Sequence, residues 1–93
     1  MPVIDIPTPL RAYTDKQKSV QVEGSTVQGC LEHLTTQYPT LLKHLRDGKG
    51  NLRSFVNIYV GDEDIRDLDN EDTEVDPNER LTIVPSIAGG QGV

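Results

Sequence analysis

Ninety-three residues make one small domain, because a chain of this length buries roughly two thirds of its unfolded surface and has nothing left for a second core. Multi-domain enzymes are excluded. With 34% hydrophobic and 26% charged residues the chain has enough Val, Ile and Leu for one thin core layer, and too many for a disordered segment. Nine Lys and Arg against fifteen Asp and Glu leave a net charge of −6, which repels phosphate backbones and anionic lipid heads. No nucleic acid and no membrane is expected among its partners. The one cysteine, Cys30, has no partner for an internal disulfide, and Asp5 breaks the opening Val3-Ile4 run before any leader pattern forms, so the expected location is cytoplasmic. No apolar stretch approaches the roughly 20 residues that span a bilayer.

Taken in chain order, Ile4 and Ile6 share one face of a strand over residues 2–6, which Pro7 and Pro9 end by withdrawing ladder donors. Val20 and Val22, two apart between polar neighbours, form the second strand of a hairpin that stops at Gly24. Ser25-Thr26-Val27-Gln28 has the form of a capping box, with Ser25 accepting the amide of Gln28. A helix follows. Its apolar stripe is Val27, Cys30, Leu31, Leu34 and Tyr38, and Pro39 breaks it or starts a second short helix through Leu41, Leu42 and Leu45. Residues 47–51 form a loop.

Residues 55–60 carry the strongest strand pattern, with Val56, Ile58 and Val60 on the core face and Phe55, Asn57 and Tyr59 on the opposite, solvent-facing side. Exposed aromatics mark binding surfaces, so Phe55 and Tyr59 are the candidate partner-binding residues. Gly61-Asp62 turns the chain into a short extended piece at Ile65. The acidic stretch beyond offers little to bury before the Asp76-Pro77-Asn78-Glu79 turn, and a last strand through Leu81 and Ile83 ends at Pro85. One helix with one apolar stripe and one sheet with one apolar face cover each other in a two-layer α+β sandwich, most simply a β-grasp with a mixed sheet of 4–5 strands on one main helix. The domain is expected over residues 1–86, with a tail over 87–93.

Little here carries chemistry. His33 and His44 read as surface histidines, with no second metal ligand at helical spacing from either, so no metal site is expected. Cys30 lies on the apolar stripe, where a thiol acts as a small hydrophobe. Ten acids between Asp62 and Glu79 face one base, Arg66, while no glycine from residue 65 to 80 supplies the sharp turn of a calcium loop. The stretch reads equally as a solvated face and as a surface that steers a basic partner. The tail is different. It has no charge and no β-branched residue between Ile87 and Val93, and Gly89-Gly90 lacks Cβ atoms, so this end can be threaded extended through a narrow channel.

The segment from Leu81 to Gly90 (Leu81-Thr82-Ile83-Val84-Pro85-Ser86-Ile87-Ala88-Gly89-Gly90) resembles the C-terminus of the MoaD/ThiS family of ubiquitin-like sulfur carriers, whose fold is the β-grasp. Ile6-Pro7-Thr8-Pro9-Leu10-Arg11 and the run from Phe55 through Gly61-Asp62-Glu63-Asp64-Ile65-Arg66 are similar to the branch serving cysteine biosynthesis, called CysO. Two departures stand out: Gly61, where that branch often has Asn, and Gln91-Gly92-Val93 beyond the diglycine. The resemblance implies a carrier and co-substrate rather than an enzyme, with no cofactor bound by this chain. A ubiquitin-activating-type adenylyltransferase uses ATP to convert the Gly90 carboxylate to an acyl-AMP, and Ala88 and Gly89 thread its channel. Sulfur then displaces AMP, and the Gly90 thiocarboxylate feeds a PLP-dependent cysteine-synthase-like enzyme. For a chain with such an extension the resemblance also implies a JAMM-type metalloprotease that cuts between Gly90 and Gln91. The same tail also serves the small subunit of molybdopterin synthase, thiamine or siderophore assembly, and a ubiquitin-like modifier conjugated to lysines.

Overall fold

The inward alternation of Ile4 and Ile6 builds the first strand, β1 (Val3–Asp5), in the computed structural model, which describes residues 1–85. β1 pairs antiparallel with β2 (Ser19–Gln21) and parallel with β5 (Arg80–Pro85). On its other side β5 pairs antiparallel with β3 (Val56–Val60), which carries the two-residue β4 (Glu63–Asp64). The sheet order is therefore β2-β1-β5-β3-β4, with the last strand in sequence at its centre. This is the mixed α+β sandwich of the β-grasp. Helix α1 (Val27–Gln37) lies across the inner face and buries Val27, Cys30, Leu31 and Leu34 against Ile4, Val20, Ile58, Leu81 and Ile83. Full burial of each aliphatic side chain is worth about 1.5–3 kcal/mol, so this seam holds the two layers together.

Four features differ from the sequence pattern. The helix is capped one residue later than the Ser25/Gln28 box: Thr26 is the N-cap, and its Oγ1 accepts the Gly29 N–H at 3.1 Å. Either hydroxyl can cap, but the backbone decides. Val75 N–H donates to Ser25 O at 2.9 Å and Val27 N–H donates to Thr73 O at 3.0 Å, which holds residue 25 in an extended crossing and starts the helix after it. The same crossing corrects the acidic stretch, where Thr73 and Val75 are both buried in spite of their charged neighbours.

The first strand is shorter than residues 2–6, and the chain after Pro7 becomes a 3-10 helix (Thr8–Tyr13) that delivers Leu10 to the core. After α1, Pro39 opens a 3-10 turn into α2 (Leu42–Leu45); Leu41 and Leu45 are buried, while Leu42 faces outward. Gly61 has a φ of +61°, the left-handed region that Gly and Asn both tolerate, so its departure from the family pattern leaves the turn intact.

Candidate functional site

Of the residues implied for thiocarboxylate chemistry, Ala88, Gly89, Gly90 and Gln91 lie outside the described residues. What the structure describes is the platform that leads to them. β5 runs between β1 and β3, and its register sets two faces: Leu81 and Ile83 point into the core, and Arg80, Thr82 and Val84 point outward. Tyr59 sits opposite Thr82 and Asn57 opposite Val84, so these four residues share the outer face beside the exit of β5.

Phe55 and Tyr59 are both on the open side, with a difference in detail. Phe55 precedes β3 by one residue and is 46% exposed, whereas Tyr59 is half-buried among its neighbours. Val84, at 40% exposed, adds an aliphatic group that the aromatic criterion missed. The alternation Leu81, Thr82, Ile83, Val84 carried the signal, because an aliphatic residue on the polar side of a half-buried strand has no core to fill.

Charged residues frame this apolar strip. Arg66 donates from Nη2 to the Asn57 Oδ1 and to the Asp64 Oδ2 at 3.1 Å, with Nε 3.3 Å from the Asp64 Oδ1. The Asp64 carboxylate also accepts the Arg66 backbone N–H at 2.9 Å, capping the turn Ile65–Asp67. These hydrogen bonds to Arg66 hold the Asp64 carboxyl below the ordinary Asp value. Across the face, Arg80 donates to Asp5, so two ion pairs flank the Thr82–Tyr59 row. The arrangement suits a partner that lays an apolar strip along the centre and polar groups along the rim.

Replacing Tyr59 by Ala is expected to weaken binding of a protein partner that docks on this face by more than about 1 kcal/mol while costing the fold little, since the ring fills no core position. Titration calorimetry and thermal melts on the same variant check it. Unchanged affinity with a large fall in Tm would place the ring in the core instead.

His33, His44 and Cys30 have structural surroundings. His33, read from sequence as a surface residue, accepts the Glu23 N–H at Nδ1 over 2.7 Å and ties the end of the hairpin to α1. His44 stacks on Tyr13 with centroids 4.1 Å apart, and its Nε2 is buried without a hydrogen-bond partner among the described residues. Cys30 is fully buried, and desolvation raises its thiol pKa above the ordinary value, the opposite of what a nucleophile needs. Among the described residues, no three His, Cys, Asp or Glu converge as metal ligands, and no helix is long and apolar enough to cross a membrane.

Comparison with known proteins places this platform. The ThiS family model matches residues 4–90, which spans the sheet, the helix and the diglycine. The chain belongs to the ThiS family. It is 39% identical over 89 residues to the sulfur carrier protein CysO of Mycobacterium tuberculosis, covering 94% of this chain and 96% of that one. A chain from the crystal structure of the Amycolatopsis orientalis BexX/CysO complex superposes with a TM-score of 0.88 at 34% identity, covering 97% and 100% of the two chains. The crystal structure of M. tuberculosis CysO gives 0.85 at 36% identity, covering 92% and 99%. The chain is thus a homologue of CysO sulfur carriers with their ubiquitin-like β-grasp.

Proposed function

We propose that this ThiS-family protein carries sulfur as a thiocarboxylate on Gly90 and donates it for cysteine biosynthesis. The observation that carries the reading is the reach of the family match, which ends at residue 90, the second glycine of Gly89-Gly90. A carboxylate is a poor acyl electrophile at neutral pH. An adenylyltransferase of the ubiquitin-activating type therefore joins the Gly90 carboxylate to the α-phosphate of ATP, releasing pyrophosphate, and a sulfur donor displaces AMP. The thiocarboxylate then passes sulfur to an acceptor bound in a PLP-dependent, cysteine-synthase-like enzyme, whose cofactor supplies the electrophilic acceptor. This chain's part is to present the tail: the outer strip of Phe55, Tyr59 and Val84 docks the activating enzyme, and Ala88 and Gly89 thread a channel whose narrow end, at Gly90, has no room for a Cβ.

A Gly90→Ala chain ending at residue 90 is expected to lose AMP transfer while melting like the parent, because the added methyl obstructs the channel and touches no core residue. Pyrophosphate release assays and thermal melts check both halves. Mass spectrometry of the protein purified from cells adds the decisive mark, a terminal mass heavier by the difference between sulfur and oxygen. Undiminished AMP transfer to the alanine variant, or a Gly90 found only in isopeptide linkage to lysines, overturns the sulfur-carrier reading.

A further inference from the structure

The motif Ile6-Pro7-Thr8-Pro9-Leu10-Arg11 takes no part in the chemistry at Gly90, and its backbone shows another use. Odd residues of β1 face β5, because Ile6 N–H turns the other way, to Lys18 O at 2.8 Å. In the parallel ladder each such residue donates to the residue before its partner and accepts from the residue after it: Val3, paired with Arg80, donates to Glu79 O at 3.1 Å. Asp5 is paired with Thr82. The next rung in this register joins residue 7 to residue 84, with the residue 7 N–H aimed at Ile83 O and the residue 85 N–H aimed at the residue 7 carbonyl.

Both donors of that rung are prolines, Pro7 and Pro85. Neither has an N–H. Pro7 is still extended, with φ −68° and ψ 152°, so its conformation permits the ladder to continue and only the donors are lacking. Its carbonyl instead accepts the Leu10 N–H at 2.9 Å, and Arg11 Nε donates back to Ile6 O at 3.0 Å, turning the chain away from β5. One proline would leave one bond of the rung; two facing each other leave none.

We propose that Pro7 and Pro85 are a matched stop that closes the β1–β5 ladder at Asp5 and Thr82, so that β5 gains no further rung on β1 and its end is left available to an activating enzyme. Pro7 and Pro85 are thus positioning residues, and their role in activation rests on the reading of Gly90 as the activated end.

The test is the Pro7→Ala/Pro85→Ala double variant, read first by amide hydrogen exchange in the full chain. The two new N–H groups are expected to exchange on the order of fivefold or more slowly than in an unstructured peptide, while Ile4 and Ile83 keep their parental protection and report an intact fold. In chains ending at residue 90, the double variant is then expected to be adenylated more slowly by a similar factor. Pro85→Ala should have a larger effect in the Pro7→Ala background than alone, because only together do the two substitutions complete the rung. A lost enzyme contact at Pro85 would act equally in both backgrounds. New amides that exchange at the unstructured rate overturn the proposal, and so does parental adenylation in a variant whose new amides are protected. If the parent chain is itself not adenylated, the Gly90 reading fails, and the amide measurement still decides whether these prolines end the ladder.

Discussion

The 93-residue chain is expected to give no detectable acyl-adenylate with the activating enzyme and ATP, whereas the same chain ending at Gly90 turns over. The reason is covalent. With Gln91 attached, the Gly90 carbonyl carbon is an amide, with no anionic oxygen to attack the α-phosphate of ATP. Shortening the chain does not threaten the fold, since the core cluster is drawn from residues between Ile4 and Ile83. We therefore propose that residues 91–93 are removed before activation, by a protease of the JAMM zinc class acting between Gly90 and Gln91. Pyrophosphate release from the two chains, with intact-mass spectrometry to verify that Val93 is still present, measures the difference. Equal turnover of both would show that the extension is no barrier and that the tail is used in some other way.

Gly24→Ala is expected to destabilise the protein by about 2–3 kcal/mol, a large share of a small domain's stability, and to lower Tm on the order of 10–20 °C. A methyl at residue 24 would lie 2.6 Å from Cys30 N, 2.8 Å from Gly29 C and 3.0 Å from Cys30 Sγ. Two of these are backbone atoms of the first turn of α1, and that turn has little freedom to move. It is held by the Thr26 cap and by the crossings from Val27 to Thr73 and from Val75 to Ser25. Making room means lifting α1 from the sheet and opening the contacts of Val27 and Cys30. Gly48→Ala is the control: nothing lies within 4 Å of the added carbon, so a change below about 1 kcal/mol is expected. Equal melting curves for the two variants would show that α1 can slide without cost.

Both predictions concern glycines, yet they were legible to different degrees. The role proposed for Gly90 comes from the family resemblance of the segment Leu81 to Gly90, and it can be named before any fold is known. Gly24 reads in sequence only as the end of a strand. Its true constraint is the approach of the helix backbone, which exists only once α1 has docked.

The same division runs through the molecule. Alternation fixed the inward faces of β1, β3 and β5, and the 3.6-residue stripe fixed the face of α1 from Val27 to Leu34, because periodicity is local and burial rewards it directly. Periodicity does not say which distant segment an element meets. Ser25 and Thr26 are equivalent caps until Thr73 and Val75 arrive, His44 looks like a surface residue until Tyr13 stacks on it, and Val84 is one more strand residue until its register with Asn57 sets it on the outer face with Tyr59 and Thr82. The amino-acid sequence by itself determined the two-layer class and the core faces, and its family resemblance suggested the chemistry proposed for the diglycine. Only the tertiary structure decided the strand order, the residues that share the outer face with Tyr59 and Thr82, and the β1–β5 register, because hydrogen-bond register between segments far apart in the chain is selected by the sheet as a whole.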